Sequence, residues 1–356
     1  MLFRLTTAAA LFLAPIAAHA SAQDGLQAMK TYNLITLGDL NSSSEVEGRT
    51  FVGGNLSGNS SNYFIKGNTL PSSSTSGLTV VGNVTGGAKN LNNGSGAVVG
   101  GSVESGFNLN GANQIVTIGG NAQNINGSNG SAITIGGTKS GFLNGNGASV
   151  LTGQNLNPAF QSGLVAQRTT LISSLKDLSA NLAGLAPTDS VSIASNRATF
   201  SPSTSGGASL AVFSLDSAQL GQFGEIQFNL NGFDTVVVNV GGASALLNDN
   251  FLGGTNNLGQ HVIWNFYEAT DLTFTTAFGG SVLAPQANGT IGNFIQGSAV
   301  FAQLNQQGEI HLGAFAGNFT VPGVPEPAAW LQMIAGFGLI GMGLRAGKQR
   351  KLQPAA

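Results

Sequence analysis

Val99-Gly100-Gly101-Ser102-Val103, Ile118-Gly119-Gly120-Asn121-Ala122 and Ile135-Gly136-Gly137-Thr138 repeat one phrase, apolar-Gly-Gly-polar, at steps of 19 and 17 residues. Earlier copies stand at Val52-Gly53-Gly54-Asn55-Leu56 and Val81-Gly82-Asn83-Val84. A degenerate copy follows at Leu151-Thr152-Gly153, and the glycine recurs at Gly280, Gly297 and Gly317. Spacing of about 16 to 20 residues is the size of one β-helix coil, three short strands and three turns. Two places before the anchoring glycine stand Val52, Val80, Val99, Ile118, Ile135, Leu151, Phe278, Ile295 and Phe315, all apolar. Two places after it the residues are again mostly apolar, Lys139 being the exception. Strand side chains alternate, so both positions point inward and stacked coils bury a continuous column containing Val80, Val99, Ile118 and Ile135. The crossover rule predicts right-handed winding. Asn55, Asn83 and Asn121 read as turn residues suited to left-handed backbone.

Composition supports the same reading. The chain has 356 residues, 8% charged, with 53 Gly, 10 Pro and no Cys. The glycine has no triplet period, which excludes collagen, and the abundance of Val, Ile, Thr and Phe argues against disorder. Absence of Cys removes disulfides, thiolate metal sites and thiol nucleophiles. Residues 21 to 324 carry 14 acidic and 8 basic side chains, so no basic face exists to neutralise phosphates and nucleic acid is not an expected partner.

One segment follows a helical period. Asn157-Pro158 is an N-cap and first-turn pair, after which Phe160, Leu164, Leu171, Leu175, Leu178, Leu182 and Leu185 recur every three or four residues until Gly184 and Pro187. A helix of about 27 residues would lie along several coils. The fold class expected is therefore all-β, a right-handed β-helix or solenoid with one long flanking α-helix. Its body, residues 21–321, divides into an N-terminal cap and coils (31–156), the helix (157–187), irregular strands forming either coils or a side sheet (188–276), and final coils (277–321).

Both ends read as addresses. Arg4, an apolar run from Leu5 to Ile16 and Ala18-His19-Ala20 form a secretory signal peptide over 1–20, with cleavage after Ala20 and Ala18 in the small-residue position. Over 322–356, Pro325-Glu326-Pro327 and Trp330 lead into an apolar stretch from Ala328 to Leu344, followed by Arg345, Lys348, Arg350 and Lys351. As a helix the stretch reaches about 26 Å, just short of a ~30 Å hydrocarbon core, and snorkelling of the basic residues completes a transmembrane span whose basic end faces the cytoplasm. This segment closely resembles the PEP-CTERM sorting signal. The resemblance implies recognition and cleavage by an exosortase after signal peptidase has acted, transient anchoring in the inner membrane, and a Gram-negative, exopolysaccharide-producing host.

Candidate chemistry is sparse. Glu309 and His311 share one strand face, and Asp39, Glu45 and Glu47 could cradle Ca²⁺, but their spacing fits a structural cap with Arg49 as counter-charge better. From residue 57 to 156 the only carboxylate is Glu104, so those coils cannot supply the paired acids of a glycosidase. No catalytic, cofactor or metal residues are expected, and the chain is read as a non-enzyme.

Tyr32-Asn33-Leu34-Ile35-Thr36-Leu37-Gly38-Asp39-Leu40, Ser44-Glu45-Val46-Glu47-Gly48-Arg49, Trp264-Asn265-Phe266, Gly280-Ser281-Val282-Leu283-Ala284-Pro285 and Gly308-Glu309-Ile310-His311 resemble the choice-of-anchor A family. That resemblance spans roughly residues 31 to 320 and implies an adhesive β-helical domain with no catalytic residues. The function expected is a secreted, exosortase-sorted cell-surface or extracellular-matrix protein, an adhesin or biofilm structural protein whose partner is an exopolysaccharide or another surface ligand. The alternatives are a polysaccharide-active β-helix enzyme and an ice-binding protein. Ice binding calls for a regular Thr array, and the column Thr79, Val98, Thr117, Thr134, Val150 interrupts one.

Overall fold

Strands of two to six residues recur three to a turn along residues 34–144, and each strand pairs in parallel with its equivalent in the next turn. The computed structural model describes residues 21–67, 70, 73–203 and 209–319. The first face carries Leu34–Thr36, Thr50–Val52, Leu78–Val80, Ala97–Val99, Ile115–Ile118, Ala132–Ile135 and Ser149–Leu151, stacked in that order. The second face carries Leu40–Ser42 and Leu56–Ser57, continued by single bridges through Val84, Val103 and Ala122. The third carries Glu45–Val46, Ser61–Tyr63, Lys89–Leu91, Phe107–Leu109, Ala122–Asn126 and Lys139–Asn144. Val52, Val80, Val99, Ile118 and Ile135 are in register and fully buried, as expected. Each such side chain removed from water contributes about 1.5–3 kcal/mol, which is why a chain so poor in charge can hold this stack. Leu151 leaves the column: it pairs with Thr134 on the outward side, and Val150 takes the inward place.

The glycines are required at the first corner, between the first and second faces, for a reason the sequence did not show. Asn55 N–H donates to Asp39 Oδ1 (2.7 Å), Asn83 N–H to Asn55 Oδ1 (2.9 Å) and Ser102 N–H to Asn83 Oδ1 (2.8 Å). Asn121 N–H donates to Ser102 Oγ (3.0 Å) and Thr138 N–H to Asn121 Oδ1 (2.9 Å). One side-chain oxygen per coil thus caps the next coil's backbone. A Cβ at Gly101 would lie 2.2 Å from Asn83 Oδ1, and one at Gly137 2.2 Å from Asn121 Oδ1. Asn55, Asn83 and Asn121 are therefore acceptors in a ladder and do not adopt the left-handed conformation expected of them; that conformation falls to Asn93, Asn113, Asn124 and Asn146. Gly280 and Gly297 are not equivalents of Gly54 either. They sit at φ 120° and 149° on the third corner, just ahead of the first face, and Phe278 and Ile295 line the third face instead.

The largest departure is in chain order. Leu34–Thr36, expected in a cap, lies in the middle of the stack, because its other edge pairs in parallel with Ala299–Gln306. Beyond that strand the first face continues through Ser281–Ile291, Val262–Phe266, Thr235–Gly241 and Leu210–Asp216. Residues 188–276 supply both coils and, with Ser192–Ala194, Arg197–Phe200, Glu225–Phe228 and Asn250–Leu252, a four-stranded sheet ending in an antiparallel hairpin. The chain thus winds from the middle to one end, crosses to the other, and winds back to meet its own first coil.

The crossing element is α2 (Pro158–Ala183), capped by Asn157 and Gly184 and burying Leu164, Leu171, Leu175, Leu178 and Leu182 as expected. It lies on the first face, whose outward residues Ile35, Val237, Ile263, Leu283 and Val300 are buried. Asn265 Nδ2 donates to Ser179 O (2.9 Å) and Asn239 Nδ2 to Leu182 O (2.7 Å), so the two polar residues beneath the helix are satisfied. A second helix, α1 (Ala22–Thr31), was not anticipated. It closes on α2 so tightly that a Cβ at Gly25 would sit 2.4 Å from Ser174 O.

Two glycine substitutions should have opposite signs. Gly101→Ala forces Asn83 and the coil below to shift and should cost about 1–3 kcal/mol. Gly163→Ala, with open space around it in the interior of α2, should gain about 0.5–1 kcal/mol. Urea unfolding of both variants checks the pair.

Candidate functional site

The second face is the one the fold leaves bare and level. The first is covered by α2 over Ser281–Ile291, Val262–Phe266 and Thr235–Gly241 and is half-buried or exposed at Thr117, Thr134 and Leu151. Irregular excursions gather at the third corner: residues 64–67 and 73–77, the segment 253–261 with its short helix Leu258–His261, and residues 313–319, where Ala316 N–H and Gly317 N–H both donate to Gln260 O (3.0 Å). The second face has none of these over most of its length. Its rungs run across the junction of the two coil sets, with Leu40–Ser42 in register with Leu304–Gln306 and Asp271–Phe274 in register with Asn288–Ile291.

Two outward columns run along it. One holds Asp271, Asn288 and Gln303 and continues into the ladder of Asp39, Asn55, Asn83, Ser102, Asn121 and Thr138. The other holds Thr273, Thr290, Asn305 and Asn41, then Ser57. Rungs lie about 4.8 Å apart and same-face residues about 7 Å apart along a strand, giving a lattice of hydroxyls and amides on a stiff support. In the first column the amide oxygens of Asn55, Asn83 and Asn121 already hold backbone N–H groups, which fixes where each side chain stands. The surface can bind something repetitive and polar through many weak contacts. Near its far end Leu246 is exposed beside an open cleft lined by Ser217, Ser244, Asp271 and Thr273.

The third face carries a column invisible to a search keyed on glycine. Glu45, Asn62, Asn90, Asn108, Asn126 and Asn144 stand in register, with Asn108 Nδ2 donating to Asn90 Oδ1 (2.8 Å) and Asn62 Nδ2 to Glu45 Oε1 (3.1 Å). The signal was present as Asn residues at steps of 18 in 90, 108, 126 and 144. The Asn90–Asn108 and Glu45–Asn62 hydrogen bonds join successive rungs and so support the stack.

Asp39, Glu45 and Glu47 do not form one site. They occupy the first corner, the third face and the third corner. Glu47 is joined by Glu309 and His311, with potential ligand atoms all within 4.8 Å. Both Glu47 oxygens are engaged, one by Lys66 Nζ (2.6 Å) and one by Leu312 N–H (2.7 Å), so its counter-charge is Lys66 where Arg49 was expected. His311 Nε2 lies 2.7 Å from Glu309 Oε2 and its ring stacks on Phe294 at 4.3 Å. The cluster ties the first coil to the last. The Thr79, Thr117 and Thr134 column weighed for ice belongs to the first face, where Thr79 is buried and the other two half-buried. Ala18, Ala20, Pro325, Glu326, Pro327, Trp330, Arg345, Lys348, Arg350 and Lys351 lie outside the described residues. Among the described residues no helix is long and apolar enough to cross a membrane.

Two buried ionisable groups stand out. Lys89 points inward, donates to Asn59 O (2.7 Å), and loss of water pushes its ammonium down to about 8. Asp249 is buried with neither carboxylate oxygen hydrogen-bonded, and burial pushes it up to about 6.

The family model described as "Putative Ice-binding-like adhesive domain" matches residues 25–121 and 105–312. None of the curated proteins matches the chain. Among solved structures, an ice binding protein from an Antarctic bacterium, Flavobacteriaceae, aligns over 84% of this chain and 86% of that chain, at 15% identity and a TM-score of 0.27.

The folded state holds the Asp249 proton more tightly than the unfolded chain, whose value is near 3.8, so stability falls as pH rises from about 4 through 6. Asp249→Asn should therefore raise stability by about 2–3 kcal/mol at pH 7 and change little at pH 3.5. Denaturant melts of the two proteins at both pH values check the sign.

Proposed function

Because the chain belongs to the family of ice-binding-like adhesive domains, we propose that it is an extracellular adhesin-like protein that uses its second face to grip an extended polar surface such as an exopolysaccharide. The observation that carries this is the level array of Asn, Ser and Thr side chains, continuous across the junction of the coil sets and free of overhanging loops over most of its length. Rigid hydroxyls and amides lose little entropy on contact, and many weak hydrogen bonds along one axis add up by avidity. Acidic Asp39, Glu104 and Asp271 on or beside this face disfavour a strongly anionic ligand. Export by the segment 1–20, sorting by exosortase through Pro325-Glu326-Pro327, and residence at the surface of a Gram-negative cell belong to the same proposal.

Ice is the second reading, favoured by adjacent Thr273 and Thr290 in register on this face. The mixture of Thr, Asn, Ser, Gln and Asp along the columns favours a hydrated polymer instead.

Asn41→Tyr and Thr290→Tyr would raise bulk above the level surface without touching the core. Each should weaken retention on immobilised exopolysaccharide about tenfold while leaving the melting temperature unchanged, whereas Asn108→Tyr on the third face should leave retention intact. Binding indifferent to the second-face changes would reject the assignment of this face, and thermal hysteresis lost in the same two variants would select ice.

A further inference from the structure

The two ends of the stack differ. At one, Ser192–Ala194 folds antiparallel onto Arg197–Phe200, and Thr188 bridges to Val212, whose N–H it accepts at 2.9 Å while its own N–H donates to Val212 O at 2.9 Å. That end is covered on its first and third faces. At the other, Lys139–Asn144 and Ser149–Leu151 are edge strands with no further described strand beyond them. Leu143 continues the inward column of Phe107 and Ile125 and yet is 42% exposed; Phe142 and Leu151 beside it are 56% and 52% exposed. The interior of the solenoid therefore opens to water here. Solenoids need polar terminal caps for solubility, and bare edges recruit strands.

We infer that this open end pairs with the same end of a second copy, forming a two-fold dimer; the inference goes beyond the adhesive reading and does not depend on what the second face binds. Head-to-tail stacking is blocked by the hairpin at the far end, so like ends meet. A two-fold axis sets each edge strand antiparallel to its counterpart and keeps outward residues outward. The end is also stepped. The first face carries one rung more, Ser149–Leu151, than the other two, and an axis through the second face sets that rung opposite the recessed third face of the other copy. One charged side chain, Lys139, lies in these strands, and its ammonium donates to Gly141 O at 2.9 Å. A strand of six residues makes the end about 20 Å across, burying on the order of 300 Å² per partner against about 800 Å² for a standard interface. The dimer is accordingly weak and concentration-dependent.

Sedimentation velocity of the full chain from about 1 µM to about 500 µM should show the mass doubling over that range. Phe142→Lys, which alters an already exposed side chain, should weaken the dimer about tenfold or more, and Ile193→Lys at the hairpin end should leave it unchanged. A monomer throughout overturns the inference, including the case in which the amides of residues 139–144 exchange slowly because the chain's own terminal segments cover them. A dimer indifferent to Phe142→Lys overturns it as well.

Discussion

The parallel pairing of Leu34–Thr36 with Ala299–Phe301 is the joint on which the molecule depends. Elsewhere along either coil set one rung follows the previous one through a turn, so closing each costs little chain entropy. Here residues more than 260 apart in sequence must meet in register on all three faces, since Leu40 pairs with Leu304 and Val46 with Ile310. Buried side chains reinforce the joint. Asn33 donates to Gly297 O (2.8 Å) and His311 O (3.0 Å) while accepting from Gly48 N–H, and Ser42 donates to Gln306 Oε1 (2.9 Å). Removing such a partner from a buried polar group costs more than the hydrogen bond itself is worth, which makes the register specific.

From that joint the division of labour among the faces follows. The chain has to travel from one end of the stack to the other before winding back, and it does so as α2, which needs a long apolar bed. The first face provides one, and where α2 crosses it the outward residues Val237, Ile263 and Leu283 are aliphatic and lost to the solvent. Loops that enter and leave the coils collect at the third corner beside α1. What is left level is the second face, and the hydrogen-bonded ladder at its margin keeps the rungs from slipping. Flatness and binding capacity thus come from the same contacts that hold the coils together.

Scarcity of charge has a related origin. An interior only a few residues wide is filled by aliphatic columns and, in the C-terminal coils, by packed rings such as Phe200, Phe213, Trp264, Phe274 and Phe278, so each ionisable group inside is conspicuous. Lys89 survives there by donating to backbone carbonyls and Asp249 by holding a proton more tightly, and neither carries the binding surface.

The apolar-Gly-Gly-polar phrase determined by itself that the chain coils, how long each coil is and which aliphatic residues stack, because inward side chains one rung apart must be alike. The Asn157-Pro158 cap likewise placed the start of α2, while its end falls at Ala183, short of the expected 187, and leaves Leu185 outside the helix. The expectation that 1–20 and 322–356 are addresses rests on grounds that do not involve the fold, and both segments lie outside the described residues. Which coil sits beside which was not legible. Local patterns specify a rung and not its neighbours, so a strand that opens the sequence reads as a cap although it lies at the centre. The Asn columns were readable as a period of 18, but whether they face water or the helix depended on where α2 lay. The roles of Asn55, Asn83 and Asn121 and the meeting of Glu47 with His311 were decided only by the tertiary structure, since both arise from contacts between coils, and such contacts have no trace in the order of residues along one.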